Sequence, residues 1–180
     1  MPRPPLARER VLDAFEAILI EDGERTATLE ATAKAAGVSK GGLLYHFGSK
    51  DDLAAGLLER LARLTDLDLE RMAEAPEGPV AYYVRTSVME DDALDRALIA
   101  ASRLAQGGDA AASDALREVR RRWAEAIRPH VRDETALDLV MLVSDGLYFN
   151  NSLDVHGPAR LVPHGPELQA LIALVLRAAQ

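Results

Sequence analysis

An all-α fold in two parts is what this sequence predicts, on three observations. Apolar residues recur at three-to-four spacing along most of its 180 residues, the mark of helices with one buried face. No stretch alternates apolar with polar residues as a half-buried strand would, and aromatic residues make up only 4%. Gly, Pro and Asp-Gly breaks interrupt the pattern at lengths typical of helices. The balance of 48% hydrophobic and 28% charged residues is too apolar for a disordered chain, and the length is enough to enclose a real core. With no cysteine, disulfide scaffolds, zinc-thiolate sites and cysteine nucleophiles are excluded.

In the first helix Val11, Leu12, Phe15, Ile18 and Leu19 form one apolar stripe that ends at Asp22-Gly23. Thr28 can cap a short second helix with Leu29, Thr32, Ala33 and Ala36 inside, and Gly37 stops it. Ser39 can cap a third, expected to end near Phe47-Gly48. Ser49 followed by Asp52 reads as a capping-box-like start to a long fourth helix. Its stripe is Leu53, Leu57, Leu58, Leu61, Leu64, Leu67 and Met72, broken by Pro76, Gly78 and Pro79. Further helical segments follow over about 80–88, 91–104 and 111–131, with Pro129 bending the end of the last. The run LDLVMLVSDGLYF, residues 137–149, is apolar over most of its circumference and must be covered on both sides. Pro166 opens a final helix striped by Leu168, Leu171, Ile172, Val175 and Leu176. Two readings suit these last two helices: a face for a second subunit, favoured because little sequence remains to cover the pair, or a helix buried within a monomer.

Charge is unevenly spread. The net charge of −8 argues against a chain that coats nucleic acid non-specifically. Yet all three lysines, Lys34, Lys40 and Lys50, fall in the acid-free stretch 31–50, which leaves −11 for the rest. That island is either a small targeted anion-binding face or a chance cluster on a solvated surface. A short helix, a turn at Gly37-Val38 and a second short helix form the helix-turn-helix pattern. On the third helix Lys40, Gly41, Leu44 and Tyr45 share an outer face, while Leu43 and Phe47 share the inner one. The outer face offers an ammonium, an open backbone and a ring, which suit a major groove. Thr28 and Ser39 bring hydroxyls and free N–H groups at helix N-termini, and Tyr45, His46 and Lys50 can reach phosphate oxygens.

Residues 28–53, TLEATAKAAGVSKGGLLYHFGSKDDL, resemble the DNA-binding motif of TetR-type transcriptional repressors. The matching elements are Thr28, Ala33, Ala36-Gly37-Val38-Ser39, Gly41, Leu43, His46-Phe47, Ser49-Lys50 and Leu53. The resemblance is specific over the first third of the chain and weak beyond it. It implies a three-helix DNA-binding head at residues 1–47 and a helical ligand-binding and dimerisation core at 48–180. It implies a homodimer through the last two helices, one operator half-site read by each head, and a small-molecule effector in each core. The DNA contacts it implies are Thr28, Ser39, Lys40, Gly41, Tyr45, His46 and Lys50. Two positions depart from the family pattern. Thr32 replaces a β-branched aliphatic residue. Leu44 replaces a common tyrosine and has Tyr45 beside it, so positions 44 and 45 are alternatives for the ring-to-phosphate contact.

Candidate effector-binding residues in the core are Trp123, Met141, Asp145, Tyr148 and Phe149, since such pockets are mostly apolar with a few directed polar groups. Asp145, in an apolar helix, is expected either to pair with an arginine or to orient a ligand. The 13 basic and 19 acidic residues from Leu61 onward favour neutral or cationic ligands. Arg117, Arg120, Arg121 and Arg122 read as salt-bridging surface residues rather than a second nucleic-acid patch. The arm around Arg3 and Arg8 either lies along a groove or frays. His46, His130, His156 and His164 form no metal-binding helical pair with a carboxylate. No phosphate-cradling loop or nucleophile elbow is present, so no enzyme, cofactor or metal is expected. MPRPPLARERV lacks the apolar stretch of a signal peptide, and the longest apolar run, residues 170–176, is too short for a membrane span. A soluble cytoplasmic protein is the expectation.

Overall fold

The computed structural model describes residues 5–88, 92–153 and 162–180, and every regular element among them is helical. In order these are α1 (Pro5–Glu21), α2 (Leu29–Ala35), α3 (Lys40–Leu44), α4 (Lys50–Glu74), α5 (Pro79–Thr86), α6 (Ala93–Gln106) and α7 (Ala110–Ile127). A 3-10 turn (Arg128–His130), α8 (Glu134–Leu153) and α9 (Pro166–Ala179) follow. Arg3, Asp91 and His156 lie outside the described residues. The chain divides into two compact units, one from Met1–Thr65 and Ala93–Val119, the other from Asp66–Asp92 and Arg120–Gln180.

In the first unit the expected stripe of α1 is buried throughout, from Val11 to Leu19. It packs with Leu43, Phe47, Leu53 and Leu57, and with Ala100 and Leu104 of α6. The alanines of α6 allow close helix approach, because a methyl group keeps neighbouring backbones near one another. Glu16 is among the polar residues buried within this unit. Glu16 of α1 is only 4% exposed, with Arg60 of α4 at 3.3 Å and Arg96 of α6 at 3.0 Å from its carboxylate. Arg60 also reaches Glu9 at 2.7 Å and Asp13 at 2.8 Å. Three helices are thereby joined through charge as well as apolar surface. Arg8 pairs with Glu59 at 3.0 Å and lies over the Phe47 ring.

In the second unit α5 is buried along Val80–Val84. Its core is shared with Leu137, Val140, Met141 and Leu147 of α8 and with Leu168, Ile172 and Val175 of α9. Asp133 caps α8, accepting from the Ala136 N–H at 2.8 Å, and the Arg132 N–H closes the end of α9 on the Ala179 carbonyl at 2.9 Å.

Three expectations are corrected. The third helix ends at Leu44, because the His46 and Phe47 N–H groups both turn back to the Leu43 carbonyl. Leu67 leaves the α4 stripe and is 38% exposed, its inner register being taken by Thr65 and Asp68, both buried. Pro129 does not bend a continuing helix: α7 stops at Ile127 and the proline sits in the 3-10 turn.

The Thr32 hydroxyl is buried and has no hydrogen-bond partner among the described residues. Thr32→Val keeps the shape and removes the desolvated hydroxyl, so chemical denaturation should show a gain of about 1 kcal/mol. A loss would mean that the hydroxyl is satisfied. Burial raises the Glu16 carboxyl above its ordinary value near 4.5, an effect that Arg60 and Arg96 only partly counter. The native chain therefore holds this proton more tightly than the unfolded one. The stability tied to it is full below the ordinary value and is lost as pH rises through the raised one. In urea melts, the stability of wild type relative to Glu16→Gln should fall as pH rises above the ordinary carboxyl value near 4.5. A difference that rises with pH contradicts this.

Candidate nucleic-acid interface

The geometry of residues 28–50 follows from capping. The Thr28 hydroxyl accepts from the Ala31 N–H at 3.2 Å, starting α2. At the other end the Val38 N–H donates to the Ala33 carbonyl at 3.0 Å and the Gly37 N–H to the Lys34 carbonyl at 3.2 Å. This is the paired bonding of a Schellman stop, which needs a left-handed residue at Gly37, where φ is +64°. The Arg10 guanidinium adds a third tie, donating to the Ala36 carbonyl at 2.6 Å. Ser39 then caps α3, accepting from the Gly42 N–H at 3.0 Å. Ser49 does the same for α4 through the Asp52 N–H at 3.0 Å. Every connection is set by a local hydrogen bond that the residue types dictate.

These turns give α3 a buried and an open side. Leu43 and Phe47 are 0% and 3% exposed, while Lys40, Gly41 and Gly42 face solvent. Tyr45 is 83% exposed and Leu44 42%. The Tyr45 ring stands edge-on to that of half-buried His46, with centroids 5.2 Å apart. Thr28 and Ser39 are exposed at their helix starts. The seven expected contact residues are all exposed or half-buried at one helix-turn-helix and the start of α4. Lys50, half-buried like His46, donates from its ammonium to the Glu24 carbonyl at 2.8 Å and pairs with the Glu24 carboxylate.

The five expected effector-binding residues sit in different settings. Met141 is core, and Trp123 packs beside that core. Asp145 is exposed and held by Arg120 at 2.9 and 3.1 Å, which is the arginine pairing among the two expected alternatives. Tyr148 is half-buried and Phe149 is 62% exposed. Around Trp123 lies a polar cluster that sequence reasoning missed. Buried Asp68 accepts from the Tyr82 hydroxyl at 2.8 Å and from the Trp123 indole at 2.9 Å. Tyr83 packs against Trp123, with ring centroids 5.4 Å apart. Burial pushes both phenols above the ordinary tyrosine range, with Asp68 adding to it for Tyr82 and Asp145 for Tyr83, so both stay neutral donors. The available signal was Asp68 itself, an acidic residue on the inner register of α4 one heptad after Leu61. An open groove of about 380 Å³ lies between α5 and α9, lined by Ala81, Ile172 and Leu176 with Glu77 and Arg85 among its polar groups.

In the basic run around Arg120, Arg117 pairs with Asp114, Arg121 with Glu125, and Arg122 with Asp66. Among the described residues no group of His, Asp or Glu could hold a metal ion, and no helix is long and apolar enough to cross a membrane.

Residues 11–57 match the family model described as bacterial regulatory proteins of the tetR family. Residues 77–176 match the model for the tetracyclin repressor-like C-terminal domain. A 75-residue stretch is 32% identical to the HTH-type transcriptional regulator AcrR of Shigella flexneri, covering 41% of this chain and 35% of that protein, about a third of its length. Among solved structures, a candidate transcriptional regulator of Streptomyces coelicolor A3(2), SCO7518, is 27% identical with a TM-score of 0.63, over 97% of this chain and 99% of that one. GusR of Salmonella enterica shares the fold at 18% identity, with a TM-score of 0.67 over 99% and 98% of the two chains. With both parts of its length matched in the expected order, this chain belongs to the tetR family of bacterial transcriptional regulators.

Proposed function

We propose that this regulator is a cytoplasmic homodimer that occupies a specific operator as a repressor and is released by a small molecule. The observation that carries the reading is the two-sided α3. Leu43 and Phe47 anchor it, while Lys40, Gly41 and Tyr45 stand open on the far side. Such a helix can enter a major groove with its N-terminal residues at base edges. Lys40 supplies a donor for guanine or phosphate, and Gly41 allows close backbone approach. Thr28, Ser39 and His46 supply phosphate contacts. Of positions 44 and 45, the far greater exposure of Tyr45 supports it as the ring that meets phosphate.

Dimerisation through α8 and α9 is supported by an apolar face. Leu139, Leu142 and Phe149 of α8 and Leu174 of α9 are all exposed, from 38% to 64%. A second copy that covers this face would remove apolar surface from water and set the spacing of two operator half-sites. Release requires an effector with unequal affinity for two arrangements of the protein. The Asp68, Tyr82 and Trp123 cluster joins Met141 as the part of the second unit with directed polar groups in an apolar setting. Its carboxylate fits the expectation of a neutral or cationic effector.

Lys40→Ala combined with Tyr45→Phe should weaken operator binding by at least tenfold, since a good base-edge hydrogen bond is worth about 1–3 kcal/mol, with melting temperature and oligomeric state unchanged. Unaltered binding in an electrophoretic shift assay would remove α3 as the reading element. Leu142→Asp with Leu174→Asp should convert the dimer to monomer in sedimentation, through charge placed on an apolar interface. A persisting dimer would move the interface elsewhere.

A further inference from the structure

We propose that Glu24 withholds the Lys50 ammonium from DNA and thereby holds the operator affinity of this chain below what its basic residues permit. This rests on the reading of α2 and α3 as the DNA-binding element. Lys50 opens α4 directly after the Ser49 cap. It is one of only three lysines, all in the acid-free stretch 31–50. Lys34 and Lys40 are exposed. Lys50 instead reaches the connection between α1 and α2, donating to the Glu24 carbonyl at 2.8 Å and pairing with its carboxylate. The two side chains are 33% and 32% exposed, so salt screens the pair less than it would an open surface pair.

A second observation shows that Glu24 is seated from behind. A Cβ added to Gly107, in the turn between α6 and α7, would lie 2.9 Å from Glu24 Cγ and 3.3 Å from its Cδ. The backbone of that turn therefore rests on the Glu24 side chain, and any larger residue would press on it. Glu24 is thus placed between the α6–α7 turn on one side and Lys50 on the other, all within the first unit. Two contacts order one carboxylate, and that carboxylate competes with phosphate for a single ammonium. While it holds, one phosphate per half-site goes without its lysine. Glu24 is in this sense a positioning residue for Lys50.

Each phosphate neutralised steepens the dependence of log K on log salt by about 0.9. The test uses full-length protein and a DNA site selected by the wild type, with anisotropy titrations over a salt series for wild type, Glu24→Gln, Lys50→Gln and the double variant. Glu24→Gln should bind about tenfold tighter at low salt, with a slope steeper by about one per half-site. Lys50→Gln should change wild type little and should erase the gain of Glu24→Gln. Gly107→Ala, which displaces Glu24 without touching Lys50, should also tighten binding in a Lys50-dependent way, and thermal melts confirm folding of each variant. The inference is overturned if Glu24→Gln leaves affinity and slope unchanged while wild type binds. It is equally overturned if Lys50→Gln weakens wild type as much as it weakens Glu24→Gln, since Lys50 would then already be on phosphate. If the wild type selects no DNA site, the proposed function fails and this inference falls with it.

Discussion

Glu16 is the constraint on which the first unit depends. Its carboxylate is taken out of water inside an apolar core, at a cost of several kcal/mol, and is tolerable only because guanidiniums from α4 and α6 meet it there. That requirement ties α1, α4 and α6 to one register. A slip of one residue in any of them would leave a buried charge alone, whereas apolar side chains would tolerate a slip far better. Arg60 spreads its charge over Glu9 and Asp13 as well, so the network is anchored along nearly two turns of α1.

The open face of α3 is built outward from that frame. Helix α1 supplies the buried surface for Leu43 and Phe47, and Arg10 reaches across to the end of α2. A five-residue helix containing two glycines has little intrinsic stability, so its orientation comes from the turn before it and the anchors beneath it. The result is a helix whose outer side is free to be chosen for recognition, since its inner side alone satisfies the fold. Charge is handled in the same manner: an acidic protein keeps its lysines within this one segment, and the Glu24 carboxylate pairs with one of them.

Local chemistry is what the sequence discloses best. The α1 stripe, the caps at Thr28, Ser39 and Ser49, and the stop at Gly37 were readable because each depends on residues within four or five positions of one another. The two faces of α3 were readable for the same reason. The pairing of α6 with α1 was not, because an alanine-rich stripe marks a buried face without naming what covers it. Asp68 escaped notice among the leucines of α4, since its partners Tyr82 and Trp123 lie 14 and 55 positions away. The Glu24–Lys50 pair spans 26 positions and leaves no local signal. Asp145 is an intermediate case: pairing with an arginine was readable, but its partner Arg120 lies 25 positions away and only the fold identifies it.

The central claim is that this helix-turn-helix reads a specific DNA sequence as part of a symmetric dimer. Selection from random duplex DNA with the purified protein tests it most directly, followed by titration of the winning site over a salt series. The account predicts a two-fold-symmetric site, its half-sites spaced by about one helical turn or a multiple of it, bound with a steep salt dependence. Recovery of no enriched sequence, or of binding indifferent to sequence at every salt concentration, would contradict it.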